Sequence, residues 1–579
     1  MIVSGDISGI QTFITDVRHT GGGQARRLRS RSFYVQMLCE AAAVEVLTTL
    51  DWPINSDSIV MSAAGHFVLQ GESSQPDAIL QQLERRLNQW LIDEMQGDIR
   101  LALGWSRAAD TMDAFREAAM AVDIARSRPL ASALCGGGRW DSAAMLLPPL
   151  DTPCPICGQR KADVEETDPE SQSVRVVCVR CHSLHRLGAQ LTDVGRAWLV
   201  MNRAEDDRTG WSPTHESVPA FSLRVSLSSR FPNPNTAVAV SNIDDPKIGI
   251  NGPFAAKWLS RPLARYVPEN PDGSTLSFRE MAQRAGRESG WRGKRCGDAK
   301  LGVLKADGDG MGDFWSTVLA NAGDLAQYSA CSRAFDQFAA NQLNNVLACA
   351  SRESDEMRQG YQHIYTVFSG GDDLLFVGPW NTILDFAGEL QQMFRQHVSQ
   401  LGGSDSPALT ISAGVALVKP GWPIRRTVEA AEDLLEFAKQ RPANGHGVSR
   451  DQIATLGSVW KWAEHATVID AGKRWAGWVS DGKLDRGLLH TIREMNEAQR
   501  GHRNVANDAT GRSNERLAAA RLDYIVTRRV SKPWKEFDTE MEILRKQFEN
   551  PVRADIVHLS SVLQYAILAT KPTPADNES

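Results

Sequence analysis

At 579 residues the chain is too long for one hydrophobic core and must divide into several domains. Its 70 acidic side chains outnumber 64 basic ones, and a net charge of −6 excludes a protein that grips nucleic acid over its whole surface, so any basic contact is local. No signal sequence and no apolar run of membrane-spanning length occur, so a cytoplasmic protein without membrane contact is expected; nine cysteines are an odd number for a disulfide framework.

The chain opens on a strand pattern, MIVSGDISGIQTFI, carrying Asp6-Ile7-Ser8-Gly9. Residues 21–31, GGGQARRLRSR, place Arg26, Arg27, Arg29 and Arg31 close together. Such a cluster reads equally as a solvated helix face or as a phosphate contact. SAAGHFVLQG (62–71), IRLALGWSRA (99–108) and FREAAMAVDIARSRP (115–129) follow, before Gly136–Gly138 and LLPPLDTPCP break the pattern.

Next come Cys154-Pro-Ile-Cys157 and Cys178-Val-Arg-Cys181, with 20 residues between the pairs. That spacing fits a four-thiolate Zn²⁺ site, and four cysteines leave no open position for catalysis, so the metal is structural. His182 and His185 are surplus to it. Between 188 and 300 the pattern yields only strand-like runs at 221–227 and 237–241 and a basic stretch, GRESGWRGKRCGDAK, which reads as a flexible or RNA-facing loop.

LGVLKADGDGMGDFW (301–315) is an apolar strand ending in Asp307-Gly308-Asp309-Gly310 and followed by a helical pattern. TVFSGGDDLLFVG (366–378) reads as two strands joined by a tight turn bearing Asp372 and Asp373. Adjacent carboxylates repel unless a cation neutralises them. A helix (383–401), a strand (408–418) and a helix (425–439) complete a β-α-β-β-α-β-α order, a ferredoxin-like split βαβ unit with an added helix. That topology brings Asp307 beside Asp372 and Asp373, a plausible nucleotide–Mg²⁺ (or Mn²⁺) site.

The two regions are repeats. The segments beginning at Ser62, Ile99 and Phe115 match those beginning at Ser369, Leu409 and Val428, and Asp6 falls on Asp307. Gly65 and His66 stand where the second copy has Asp372 and Asp373, so the first copy keeps the fold without the paired acids. With Ser8 and Gly9 they can seat a nucleotide. Lys439 sits where a cation could grip a triphosphate, and reads equally as a solvated helix end. After 445 the chain becomes helical, with tryptophans at core spacing, and the tail TKPTPADNES reads as disordered.

The fold class is therefore α+β. The expected division is a first repeat at 1–135, a zinc-binding and linker domain at 136–300, a second repeat at 301–450 and a helical domain at 451–579.

GDISGIQTFI, GGGQARRLRSRSF, the paired cysteines, LKADGDGMG and SGGDD, in this order over 1–447, resemble the large palm-domain (GGDD) subunit of type III CRISPR effector complexes. The resemblance implies two ferredoxin-like palms and a C-terminal helical bundle. It implies guide crRNA, target RNA and other CRISPR-associated subunits as partners, and target-activated conversion of ATP to cyclic oligoadenylates. It makes Asp307, Asp372 and Asp373 the metal-binding acids and Ser369, Gly370 and Gly371 the nucleotide-proximal turn. Many members also carry an N-terminal HD nuclease. This sequence starts at the first palm strand and has no His-Asp dipeptide, so DNase activity is expected to be absent. The chemistry expected is attack of a 3′-hydroxyl on an α-phosphate with pyrophosphate leaving, assisted by two cations. The alternatives are a GGDEF-like dinucleotide cyclase, a template-directed polymerase and a catalytically silent structural subunit.

Overall fold

Alternating and continuous apolar runs set the strands, and two of the resulting sheets share one plan. The computed structural model describes residues 1–572 except 19–22, 64, 135–149, 168–171, 194, 206–209, 245–252, 260–265, 272–273, 289–294, 323–324, 353, 371, 402–408, 442–448, 504–509, 531–532 and 550–557. The glycines at 136–138, Gly371, the centre of the basic stretch at 286–300 and most of the C-terminal tail lie outside the described residues.

In the first sheet, β1 (Ile2–Ser8) leads through α1 (Ile10–Thr15) and α2 (Gln24–Thr49) to the hairpin β2 (Ile59–Ala63) and β3 (His66–Gln70). Then come α3 (Pro76–Met95), β4 (Arg100–Ser106), α4 (Thr111–Arg126) and the short α5 (Ala131–Leu134). The strand order is β2-β3-β1-β4, antiparallel throughout. Asp110 caps α4 by accepting from the Met112 and Asp113 amides at 2.9 and 3.0 Å, which satisfies donors that the helix leaves free.

Helix α2 is buried around its whole circumference, as a helix enclosed by several elements must be. On one side it meets the cysteine module, built from the hairpin β5 (Val164–Thr167) and β6 (Val174–Val177) and helix α6 (Val179–Gln190). On another it meets a sheet of order β10-β7-β9-β8, from β7 (Trp198–Arg203), β8 (Val218–Ala220), β9 (Leu223–Ser228) and β10 (Ala237–Asn242). Tyr34 Oη donates to the Pro219 carbonyl at 2.7 Å there.

After α7 (Phe278–Gln283) and the two-residue strands β11 (Arg287–Glu288) and β12 (Arg295–Cys296) comes β13 (Leu301–Asp309). Helices α8 (Met311–Ala322), α9 (Leu325–Gln337), α10 (Leu343–Cys349) and α11 (Glu356–Gln359) lead to the hairpin β14 (Tyr365–Gly370) and β15 (Asp373–Pro379). Then follow α12 (Trp380–Ser399), β16 (Thr410–Val418) and α13 (Ile424–Gln440). The sheet has six strands, β14-β15-β13-β16-β17-β18, because β17 (Gln452–Thr455) and β18 (Ser458–Lys461) extend its edge. Here the structure departs from the helical pattern expected after 445. Leu456 and Gly457 at φ 50° and 80° close a tight turn, and the apolar residues of both strands cover the sheet's end. The helical region starts at α14 (Trp462–Ser480) and continues through α15 (Arg486–Arg503), α16 (Thr510–Arg529), α17 (Lys535–Glu549) and α18 (Leu559–Ala569). Trp475, Trp478, Trp534 and Phe537 pack ring on ring in it, Trp534 and Phe537 at 4.8 Å, so Trp475 and Trp478 are core and Trp534 lies half-buried against them.

The repeat seen in the sequence recurs residue for residue in register. Asp6 pairs with Ala102 as Asp307 pairs with Ser412, and Ala63 pairs with His66 as Gly370 pairs with Asp373. Gly104 and Gly414 answer to one another. A Cβ on either would come within 2.4 or 2.3 Å of a carbonyl, Ala118 or Ala431, in the helix that crosses it. Only glycine lets helix and sheet approach so closely.

Candidate active site and metal centre

Strand β13 ends with Lys305, Asp307 and Asp309 on one face, by the two-residue period of a strand. A Cβ on Gly308 would meet Asp372 Cβ at 2.9 Å, which places Asp372 against the end of β13. Asp373 opens β15 beside it, so the three acids named from the sequence converge at one edge of the second sheet. Gly371, in the same turn, lies outside the described residues.

Two of the acids are held by lysines. Lys439, in the last turn of α13, bonds Asp307, which decides against its reading as a solvated helix end. Lys305 is 3% exposed, bonds Asp373, and lies 3.7 Å from Glu432 Oε2 on α13. Burial and the nearby Asp307 and Asp373 charges push the Asp372 carboxyl up to about 7. Burial raises Asp307 as well, against the bond from Lys439. The site thus carries more negative charge than its own lysines neutralise, which is the condition for a divalent cation. Asp309 is not part of this group: its Oδ2 accepts from Thr410, Ser412 and the Asp451 amide at 2.9, 2.8 and 3.0 Å. Ser369 Oγ is buried with no hydrogen-bond partner.

The raised Asp372 value has a consequence for stability. Its proton is held more tightly folded than unfolded, so the contribution is complete below about pH 4, the ordinary carboxylate range, and is lost as pH rises through about 7. Thermal melts of the metal-free protein should fall between pH 5 and 8, and D372N should flatten that slope. An identical slope in D372N would refute the assignment.

The first repeat holds the same four positions with other chemistry. His66, at the place of Asp373, meets Ser4 Oγ at 3.2 Å from Nε2. Asp6 is met by Arg126 at 3.3 Å, as Asp307 is met by Lys439. Arg126 went unnoticed in the sequence, although the matched segments set it opposite Lys439. Gly9 and Gly65 both have φ 88°; the Gly65 carbonyl accepts from the Ile7 amide at 2.7 Å, and Ser8 is half-buried beside them. The two repeats touch at the acids: Gln11 of α1 donates to Asp373 Oδ2 at 3.2 Å, and Tyr365 Oη donates to the Ala25 carbonyl at 2.7 Å.

The arginine cluster fits neither reading taken from the sequence. Arg27 bonds Glu166 inside the protein, Arg26 meets His185 Nε2 at 3.0 Å and Arg29 donates to the Gly188 carbonyl at 2.9 Å. Arg31 donates to the Phe13 and Asp16 carbonyls, both at 2.8 Å. Arg27, Arg29 and Arg31 are buried because α2 is enclosed; Arg26, Arg27 and Arg29 fasten the cysteine module to the first repeat, and Arg31 ties α2 to the end of α1 within it. Burial favours a neutral Glu166, yet the bond from His185 and the charges of Arg27, His185 and Arg175 outweigh it and hold the carboxyl at about 2.

Cys154, Cys157, Cys178 and Cys181 are buried with their sulfurs all within 4.8 Å. Among the described residues they are the one group of three or more His, Cys, Asp or Glu so closely gathered. The 3.8 Å between Cys157 and Cys178 Sγ equals the edge of a tetrahedron with Zn–S bonds of about 2.3 Å, so the donor set fits zinc.

Comparison with known proteins gives a consistent picture. The family model "Cas10/Cmr2, second palm domain" matches residues 300–453, and "Csm1 subunit domain B" matches residues 1–124. A Thermococcus onnurineus protein described as "CRISPR system single-strand-specific deoxyribonuclease Cas10/Csm1 (subtype III-A)" is 25% identical over 86% of this chain. The chain spans 62% of that protein's length. A Mycobacterium tuberculosis protein of the same description is 24% identical over 99% of this chain and 67% of its own length. Solved structures of a Csm1–Csm4 cassette with AMPPNP and with cA4 share the fold at TM-scores of 0.65 and 0.66, with 16% and 18% identity. Each covers 98% of this chain, which spans 69% of the solved one. With both repeats matched in their order and relatives aligned across the cysteine module between them, the chain belongs to the Cas10/Csm1 family of large palm-domain subunits of type III CRISPR effectors.

Proposed function

We propose that this subunit, assembled with guide crRNA and other CRISPR-associated subunits, responds to target RNA by joining ATP into cyclic oligoadenylates through 3′–5′ nucleotidyl transfer. The observation that carries the reading is the convergence of Asp307, Asp372 and Asp373 beside Lys439, in one of two repeats whose partner keeps the register without the acids. The cassettes solved with AMPPNP and cA4 support adenine nucleotides as ligands, and Csm4 as a neighbour in the complex.

Each repeat is a ferredoxin-like palm seating one nucleotide; of the four-domain division 1–135, 136–300, 301–450 and 451–579, the last boundary shifts to Lys461, because β17 and β18 complete the second sheet. Asp307, Asp372 and Asp373 hold Mg²⁺ or Mn²⁺. When bound, those ions lower the pKa of the attacking hydroxyl and neutralise the leaving pyrophosphate. Lys439 leaves Asp307 for a phosphate, and Ser369, Gly370 and Gly371 are the nucleotide-proximal residues. On the first palm, Ser8, Gly9, Gly65 and His66 seat the second nucleotide. The four cysteines hold structural Zn²⁺.

Mass spectrometry of products from ATP and Mg²⁺, with and without target RNA, tests the reading. Cyclic oligoadenylates formed only with target are expected, and no nucleotide turnover under any condition would overturn it. Substituting GTP separates it from a dinucleotide cyclase. The absence of a His-Asp dipeptide from the sequence supports the further expectation that the purified chain, alone or assembled, leaves single-stranded DNA intact with Mn²⁺ or Ni²⁺. Cleavage that persists through purification would disprove that expectation.

A further inference from the structure

A four-thiolate Zn²⁺ centre carries a net charge of −2, and a buried charge is costly unless a cation is near. One residue inside the second cysteine pair meets that need. Arg180, between Cys178 and Cys181 at the start of α6, is 1% exposed, which sets a buried cation inside the cysteine group. Its Nη2 donates to Gln159 Oε1 at 2.6 Å, and it lies 3.9 Å from Asp98 Oδ2. Its Nε and Nη1 have no hydrogen-bond partner, although a buried donor left unmade is costly.

The far side of the guanidinium leads into the first palm. Gln159 Nε2 donates to Asp98 Oδ1 at 2.9 Å, and the Phe13 ring of α1 lies 6.0 Å from the guanidinium carbon. Asp98 packs on the Gly9 turn so tightly that a Cβ on Gly9 would come within 2.1 Å of its carbonyl oxygen. Helix α1 starts at that turn and carries Gln11, which reaches Asp373.

We propose that Arg180 is the built-in counter-charge of the cysteine metal centre and, through Gln159 and Asp98, the residue that fixes the Gly9 turn and α1 against it. This rests on zinc occupying the four cysteines. Arg180 is a positioning residue: Nε and Nη1, which have no partner inside the protein, are the donors left for the thiolates of a zinc-loaded centre, and Nη2 holds the first repeat. If it only pinned Asp98, the metal would not sense its loss.

The test uses the full chain loaded with zinc. Release to excess EDTA is followed by the absorbance of a zinc dye, and a Co²⁺-substituted sample reports the sulfur-to-cobalt charge-transfer band. R180M should release zinc about 10–100-fold faster, the effect usual for partners of metal ligands, and should shift the cobalt band. R180K keeps the charge without the planar fork and should fall between, which preserves the test if R180M does not fold. D98N should leave release and the cobalt band unchanged, while hydrogen exchange in residues 9–16 rises in D98N and R180M alike. Zinc release and a cobalt band unchanged in folded R180M or R180K would overturn the proposal with the zinc assignment intact. Wild-type protein purified without zinc would instead remove the assignment beneath it.

Discussion

Replacing Asp372 and Asp373 together by alanine should cut oligoadenylate synthesis roughly a thousandfold or more, equivalent to about 4 kcal/mol of barrier. The two carboxylates supply most of the negative charge at the end of β13, and Asp307 alone, already bonded by Lys439, cannot hold cations in their place. Assembly with RNA should survive, because both residues sit in a hairpin turn at the sheet's edge. The fold has one exposed weakness: Lys305, 3% exposed, would lose Asp373 and keep only Glu432 at 3.7 Å. Adding K305M to the double variant removes that stranded charge, so lost activity in the triple variant reports on chemistry rather than folding. His66→Ala should behave differently. It removes the contact to Ser4 and the 3.7 Å approach to Asp6 in the repeat without paired acids, and should weaken ATP binding a few-fold while turnover continues. Rates from single-turnover assays on assembled complexes decide the matter. A double variant at the normal rate, or a His66→Ala variant equally dead, would contradict the assignment.

How much of this site the sequence disclosed depended on whether a residue's role was local. The acidic turns were legible because glycine and aspartate in tandem between apolar runs suit a tight, charged turn and little else, and the cysteine spacing was legible because paired thiols so placed suit a metal. The repeat was legible because Gly104 and Gly414 answer one structural demand, close helix approach, that tolerates no side chain. Lys305 was not, since a lysine within an apolar strand run shows nothing of the carboxylates that neutralise it from β15 and α13. The arginines of α2 misled for a related reason. Clustered charge normally means a solvated face, and only an enclosed helix, with Glu166 and the 188 and 13–16 carbonyls around it, turns such a cluster into internal fastening. The edge strands β17 and β18 were hidden by an apolar pattern too short to separate strand from helix.

Substituting Cys154 or Cys178 by serine should bring zinc content from one per chain to near zero and lower the melting temperature by several degrees, leaving the chemistry per folded molecule unchanged. Structural zinc is worth about 10–16 kcal/mol to isolated zinc-finger peptides, which unfold without it. Here part of that loss is absorbed, because Arg26, Arg27 and Arg29 of α2 still hold the module through His185, Glu166 and the Gly188 carbonyl. Those bonds depend on the metal in turn: Arg27 reaches the Cys181 carbonyl as well as Glu166, so a module that opens at the cysteines withdraws two partners from a buried arginine. Breaking a buried ion pair costs about 3–5 kcal/mol, enough to spread the disturbance from the hairpin β5–β6 into α2. Limited proteolysis should therefore cut the serine variants first between 150 and 190. Metal analysis that finds no zinc in the wild-type protein would sink the assignment. Serine variants that keep the wild-type melting temperature and proteolytic resistance would show that the module is held by α2 alone.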